Sequence, residues 1–138
     1  MQLVPYLGFN GQCEAAFKFY ERCLGGKIVT MMTYGETPAA GHASPELKDR
    51  IMHARLLAGE AELMGGDTPQ EQFEAPRGFC VSIQIDDPVR AERIFNALAD
   101  GGQVQMPIQE TFWAARFGML IDRFGTPWMI NCGKAAEG

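Results

Sequence analysis

The 138-residue chain is 46% hydrophobic and 21% charged, with a formal net charge of −5. That balance predicts one soluble domain able to build its own core, and the absence of any basic cluster argues against nucleic acid, whose phosphates want the opposite sign. No apolar run reaches the length of a membrane span, and Met1 to Pro5 carries no charged-then-apolar leader, so no membrane partner and a cytoplasmic location are expected.

Leu3 to Phe9 is a short apolar stretch suited to a strand, broken by Asn10-Gly11. From Cys13 to Leu24 the apolar residues Ala16, Phe17, Phe19, Tyr20 and Cys23 recur at helical spacing, which predicts a helix with one buried face. Gly25-Gly26 ends it, since glycine accepts the left-handed backbone a helix terminus needs. Lys27 to Tyr34, rich in Ile, Val, Thr and Met, reads as a second strand. Gly35 to Lys48 reads as a surface loop holding His42. Arg50 to Ala58 and Glu62 to Gly65 then form a hairpin turning at Gly59-Glu60. Gly66 to Gly78, with Pro69 and Pro76, reads as a linker. Phe79 to Ile85 alternates as a strand, and Asp86-Asp87-Pro88 starts a helix over Val89 to Ala99. Gly101-Gly102 stops it. Gln103 to Met106, Arg116 to Asp122 and Trp128 to Cys132 complete the strands around a Phe124-Gly125 turn, and Lys134 to Gly138 reads as a loose tail.

This order occurs twice. At a constant offset of 76, Leu7 falls on Ile83, Phe9 on Ile85, Ala15 on Ala91, Phe19 on Phe95 and Gly25-Gly26 on Gly101-Gly102. At an offset of 66, Arg50 falls on Arg116 and Gly59 on Gly125. Two copies of strand–helix–strand–strand–strand predict paired units, because one such unit leaves a sheet face uncovered. The cysteines, Cys13, Cys23, Cys80 and Cys132, form no C-x-x-C pair and read as free thiols in a reducing compartment.

Pro5-Tyr6-Leu7, Ala15 to Tyr20, Leu24-Gly25-Gly26, Ile51 to Ala54, Leu63-Met64, Glu110 to Trp113, Arg116-Phe117-Gly118 and Asp122 to Trp128 together resemble the vicinal oxygen chelate superfamily. That superfamily includes glyoxalase I, extradiol dioxygenases and bleomycin-resistance proteins. The resemblance is closest to its PhnB-like branch, often labelled by analogy with a demethylubiquinone methyltransferase. It implies an α+β fold of two tandem βαβββ modules, here 1–66 and 79–133 joined by linker 67–78. The modules would form an incomplete curved-sheet barrel (the glyoxalase/bleomycin resistance fold), in a homodimer around a cavity for a small organic molecule.

Enzymes of the superfamily hold a divalent metal on four side chains, and the metal acts as a Lewis acid on vicinal oxygens of the substrate. Carried over, those positions fall on Val4 or Pro5, Glu62 or Leu63, Cys80 or Val81, and Met129. At best Glu62 and Cys80 remain, too few for a catalytic metal, so no cofactor is expected. His53 is the candidate catalytic residue, an imidazole able to move a proton near neutrality; its alternative role is a hydrogen bond within the sheet or to Tyr or Glu neighbours. The cavity is expected to be lined by His53, Arg55, Met64, Trp113, Arg116 and Met129, with aromatic walls and a guanidinium suited to a planar or anionic ligand. Core packing for the aromatics, and pairing of Arg116 with Glu110 or Asp122, are the competing readings. The alternative function is a metal-dependent lyase, isomerase or dioxygenase using His53, Glu62 and Cys80. The methyltransferase label finds no support in sequence: Gly65-Gly66-Asp67, the nearest glycine turn, leads into a proline-punctuated linker rather than a helix.

Overall fold

The computed structural model describes residues 1–38, 41 and 45–134; His42 and the tail beyond Lys134 lie outside them. The elements run β1 (Tyr6–Phe9), α1 (Cys13–Leu24), β2 (Lys27–Thr33), β3 (Ile51–Ala58), β4 (Ala61–Asp67), β5 (Val81–Ile85), α2 (Pro88–Ala99), β6 (Gln103–Gln109), β7 (Ala114–Ile121) and β8 (Pro127–Gly133). The chain divides into two compact units, Met1–Glu74 and Ala75–Gly138. Each unit is a four-stranded mixed sheet with one helix, in the orders β1-β4-β3-β2 and β5-β8-β7-β6.

In the first unit β1 runs parallel to β4, and the other neighbours are antiparallel. α1 buries Cys13, Ala16, Phe17, Phe19 and Tyr20 against the sheet. The sheet answers with Leu7, Phe9, Ala54, Leu56 and Leu63, all nearly inaccessible. Each large side chain so buried contributes about 1.5–3 kcal/mol, which is what holds helix to sheet. Gln12 gives α1 no side-chain cap. The Asp67 carboxylate at the end of β4 serves instead, accepting from the Cys13 amide at 3.1 Å and the Gly11 amide at 2.8 Å.

The second unit repeats the arrangement, with β5 parallel to β8. Trp128, Ile130, Cys132 and Leu120 pack beneath Ala91, Ile94, Phe95 and Leu98 of α2. Here the helix start is local: Asp87 accepts from the Val89 amide at 3.0 Å, and Pro88 opens the first turn.

β2 and β6 keep the sequence offset of 76, while pairing relates β4 to β8 at 65, since Leu7 pairs with Gly65 and Ile83 with Ile130. The third strands keep neither. Gly65 pairs with Ala54, whereas Ile130, its equivalent in the second unit, pairs with Gly118, 64 beyond Ala54. The turn before β8 has absorbed the difference. It is held by Asp122, which accepts from the Phe124 and Thr126 amides and the Trp128 indole at 2.8–3.0 Å. The structural counterpart of Arg116 is therefore Met52, and the Arg50–Arg116 match at 66 does not survive the hairpin.

β4 reaches Asp67 rather than stopping at Gly65. β6 reaches Gln109 rather than Met106, because Pro107 is tolerated on an edge strand that needs no ladder bond there.

Candidate functional site

Alternation along each strand sends one set of side chains to the helix and the other to the opposite face. In the first unit Leu7, Ala54, Leu56, Leu63 and Gly65 take the helix side. Tyr6, His53, Arg55, Glu62 and Met64 take the other. Register supports this grouping, with Tyr6 opposite Met64 and Met64 opposite Arg55.

His53 stacks on Tyr6, rings 5.9 Å apart and inclined by 18°, with Tyr6 Oη 3.5 Å from His53 Nδ1. The phenol also donates to the Met52 carbonyl at 3.3 Å. Burial, with Cys13 and Tyr34 nearby, pushes the Tyr6 phenol above its ordinary value, so it is a donor at neutral pH. Arg55 Nε donates to Glu62 Oε1 in an ion pair. Tyr6 is not among the site residues expected from sequence, although its parity against Leu7 and Phe9 points to it.

In the second unit Met129 lies across from Met119 and beside Ser82, on the face away from α2. Two steps along, the Asn131 amide donates to Gln84 at 2.8 Å, and Gln84 donates to Ser82 at 2.7 Å. Asn131 Oδ1 is buried and has no hydrogen-bond partner among the described residues. Trp113 precedes β7 and meets Phe112 and Phe117 edge-on, at 4.7 and 5.3 Å between ring centres. Trp113 is about half exposed, while Phe117 is nearly covered.

Arg116 does not join this face. It pairs in register with Cys132, which is buried under α2, and a bulge between Ala114 and Arg116 sets that parity. Its Nε donates to Glu92 of α2 at 2.7 Å and its Nη1 to the Ala115 carbonyl at 2.6 Å. The expected partners, Glu110 and Asp122, are not used.

The second unit also carries an open pocket of about 360 Å³, lined by Pro76, Arg77, Gly78, Phe79, Cys80, Gln105, Met119, Ile121 and Pro127. Its walls are mainly apolar, in the size range of small-molecule sites. Met119 and Ile121 reach it from β7, and Pro76 to Cys80 approach from the segment before β5.

Among the described residues no three His, Cys, Asp or Glu side chains gather as a metal requires. Glu62 is engaged by Arg55, and Cys80 lines the pocket of the other unit. The other candidates at those positions, Val4 or Pro5, Leu63, Val81 and Met129, include no oxygen or imidazole side chain, and Leu63 is buried against α1. This donor set does not fit a catalytic divalent ion.

Nor does the chain offer a nucleotide-type turn at Gly65-Gly66. Both glycines lie inside β4, where a side chain at Gly65 would strike the Phe17 ring at 2.8 Å and one at Gly66 the Met52 carbonyl at 2.6 Å. The strand-to-helix turn at Gly11 has its amides occupied by Asp67.

All four cysteines are free thiols. Burial first, then the Asp67 and Glu14 carboxylates, pushes the Cys13 thiol well above its ordinary 9.0. The folded state thus holds this proton where the unfolded chain releases it. Stability from Cys13 is complete below about pH 9 and declines above it, by up to about 1.4 kcal/mol per pH unit. Urea midpoints at pH 8 and 10 should converge partly in Cys13→Ala; an unchanged alkaline loss would remove Cys13 as its cause.

Residues 1–131 match the family described as 3-demethylubiquinone-9 3-methyltransferase. Protein YjdN of Escherichia coli (strain K12) is 34% identical, with 97% of each chain covered. Protein PA1353 from Pseudomonas aeruginosa, known from a crystal structure, is 47% identical with a TM-score of 0.89, over 98% of this chain and 99% of that one. The fosfomycin resistance protein FosX from Listeria monocytogenes is only 8% identical, yet superposes with a TM-score of 0.67 over 97% of this chain and 94% of its own, a likeness of fold. The chain belongs to the family described as 3-demethylubiquinone-9 3-methyltransferase.

Proposed function

We propose that this protein binds a small organic molecule on the helix-free sheet faces, without a tightly held metal, as a cytoplasmic homodimer. The observation that carries the reading is the 360 Å³ apolar pocket of the second unit. A core-packed structural module would fill that space with its own side chains. Met129 and Trp113 supply further contacts in the second unit, and His53, Arg55 and Met64 mark the helix-free face of the first as a surface of its own. Arg116 is held by Glu92 and is left out of this set. The homodimer rests on the family resemblance, and the cytoplasm on acidic charge and four free thiols.

Metal-free binding is supported by the donor chemistry, since Glu62 would have to leave Arg55 before it could ligate. The methyltransferase activity in the family description is not adopted. The β1–α1 amides that could receive a charged group of a methyl donor already hold Asp67.

Elemental analysis tests the metal-free reading directly. Purified protein should carry substoichiometric zinc, nickel, iron and manganese, and its Tm should not move on chelation or metal addition. A stoichiometric metal whose removal lowers the Tm would overturn this reading in favour of a lyase, isomerase or dioxygenase.

A further inference from the structure

We infer that the pocket of the second unit selects an amphipathic monoanion, its apolar body laid against the apolar walls and its charged head on Arg77. This rests on the small-molecule reading above and adds the chemical class of the ligand.

The lining divides cleanly. Phe79, Met119, Ile121, Pro76 and Pro127 are apolar, and Arg77 is the one charged residue among the lining residues. Arg77 is exposed. Among the described residues it makes no hydrogen bond or ion pair, as is true of Arg22, Arg90 and Arg93, but of these four Arg77 alone lines the pocket. An unengaged guanidinium beside an apolar cavity is a planar donor fork matched to a carboxylate or a similar oxyanion. The chain is acidic overall, so the long-range field repels an anion and attraction has to come from this local contact. Met119 has an adaptable thioether side chain, and Phe79 offers a ring face, so an aryl or alkyl body is accepted without strict shape.

A matched set of probes separates the two parts of the claim: 4-phenylbutyrate, 4-phenylbutanol and 4-phenylbutylamine carry one apolar body with an anionic, neutral or cationic head. Titrations of the full chain are followed by the methyl resonances of Met119 and Ile121. The butyrate should bind at least fivefold tighter than the alcohol and tighter still than the amine, with an advantage that shrinks as salt rises. Arg77→Gln, at an exposed position where folding is not at risk, should abolish that advantage and leave alcohol binding unchanged. Equal binding of butyrate and alcohol, or an advantage that persists in Arg77→Gln, overturns the anion assignment while the pocket itself stands. If none of the three probes moves the Met119 and Ile121 methyls, the pocket is not a ligand site and the underlying reading falls with it.

Discussion

Replacing Asp67 by alanine should cost roughly 3–5 kcal/mol, the largest single-residue loss expected outside the apolar core. Asp67 is 3% exposed. One carboxylate oxygen accepts from the Gly11 and Cys13 amides, and the other accepts from the Ile51 amide at 2.9 Å. Its main-chain carbonyl takes the Tyr34 hydroxyl at 2.7 Å. One residue thus ties the start of α1, the start of β3 and the segment after β2 to the end of β4. Alanine leaves three amides without an acceptor, each worth about 1–3 kcal/mol when buried. Asn keeps the volume and one acceptor oxygen but turns an N–H donor towards another donor, so Asp67→Asn should lose about 1–3 kcal/mol. Urea denaturation measures both. Hydrogen exchange should quicken first at Gly11, Cys13 and Ile51. Losses below about 1 kcal/mol in both variants would show that solvent replaces the carboxylate.

Alanine at Gly26 or Gly102 should cost about 2–3 kcal/mol, through crowding rather than lost bonds. A methyl group at Gly26 would lie 2.6 Å from the Leu57 carbonyl. At Gly102 it would meet the Ile121 carbonyl more closely still, with the Asp122 backbone at 2.9 Å behind it. These neighbours are main chain, so a strand has to move. The preceding glycines do different work: Gly25 and Gly101 sit at φ of 68° and 76°, the left-handed region that turns the chain back onto the sheet. Gly133→Ala is the control, with open space around it and no positive φ, and should change stability by less than about 0.5 kcal/mol. Near-equal costs at Gly26, Gly102 and Gly133 would refute the close-approach argument.

Those paired glycines explain why the internal repeat was visible in the sequence at all. A helix end that must reverse and then pass hard against a neighbouring strand admits glycine at two successive positions, and it does so in both units. α1 was read with its observed bounds for a similar reason, because five buried residues at helical spacing leave little choice. Strand ends were less legible. Gly65-Gly66 looks like punctuation, yet it lies in β4, where ring and backbone neighbours leave no room for a side chain.

The candidate site divides along the same line. His53, Arg55 and Met64 were named from sequence, and the structure brings them onto one face with Tyr6 and Glu62. Arg116, also named from sequence, stands on the other face, because its strand pairs it with Cys132, buried under α2, with a bulge beside it. A change of one residue in strand parity sends a side chain to the opposite face.

What the sequence determined by itself was local: the helices, most strands, the duplicated order and the family, all written in spacings of a few residues. What the tertiary structure decided was partnership: Arg116 with Glu92, Asp67 with the far end of α1, Arg77 left open beside an apolar pocket. Those choices depend on the register between strands distant along the chain, and no short-range pattern encodes that register.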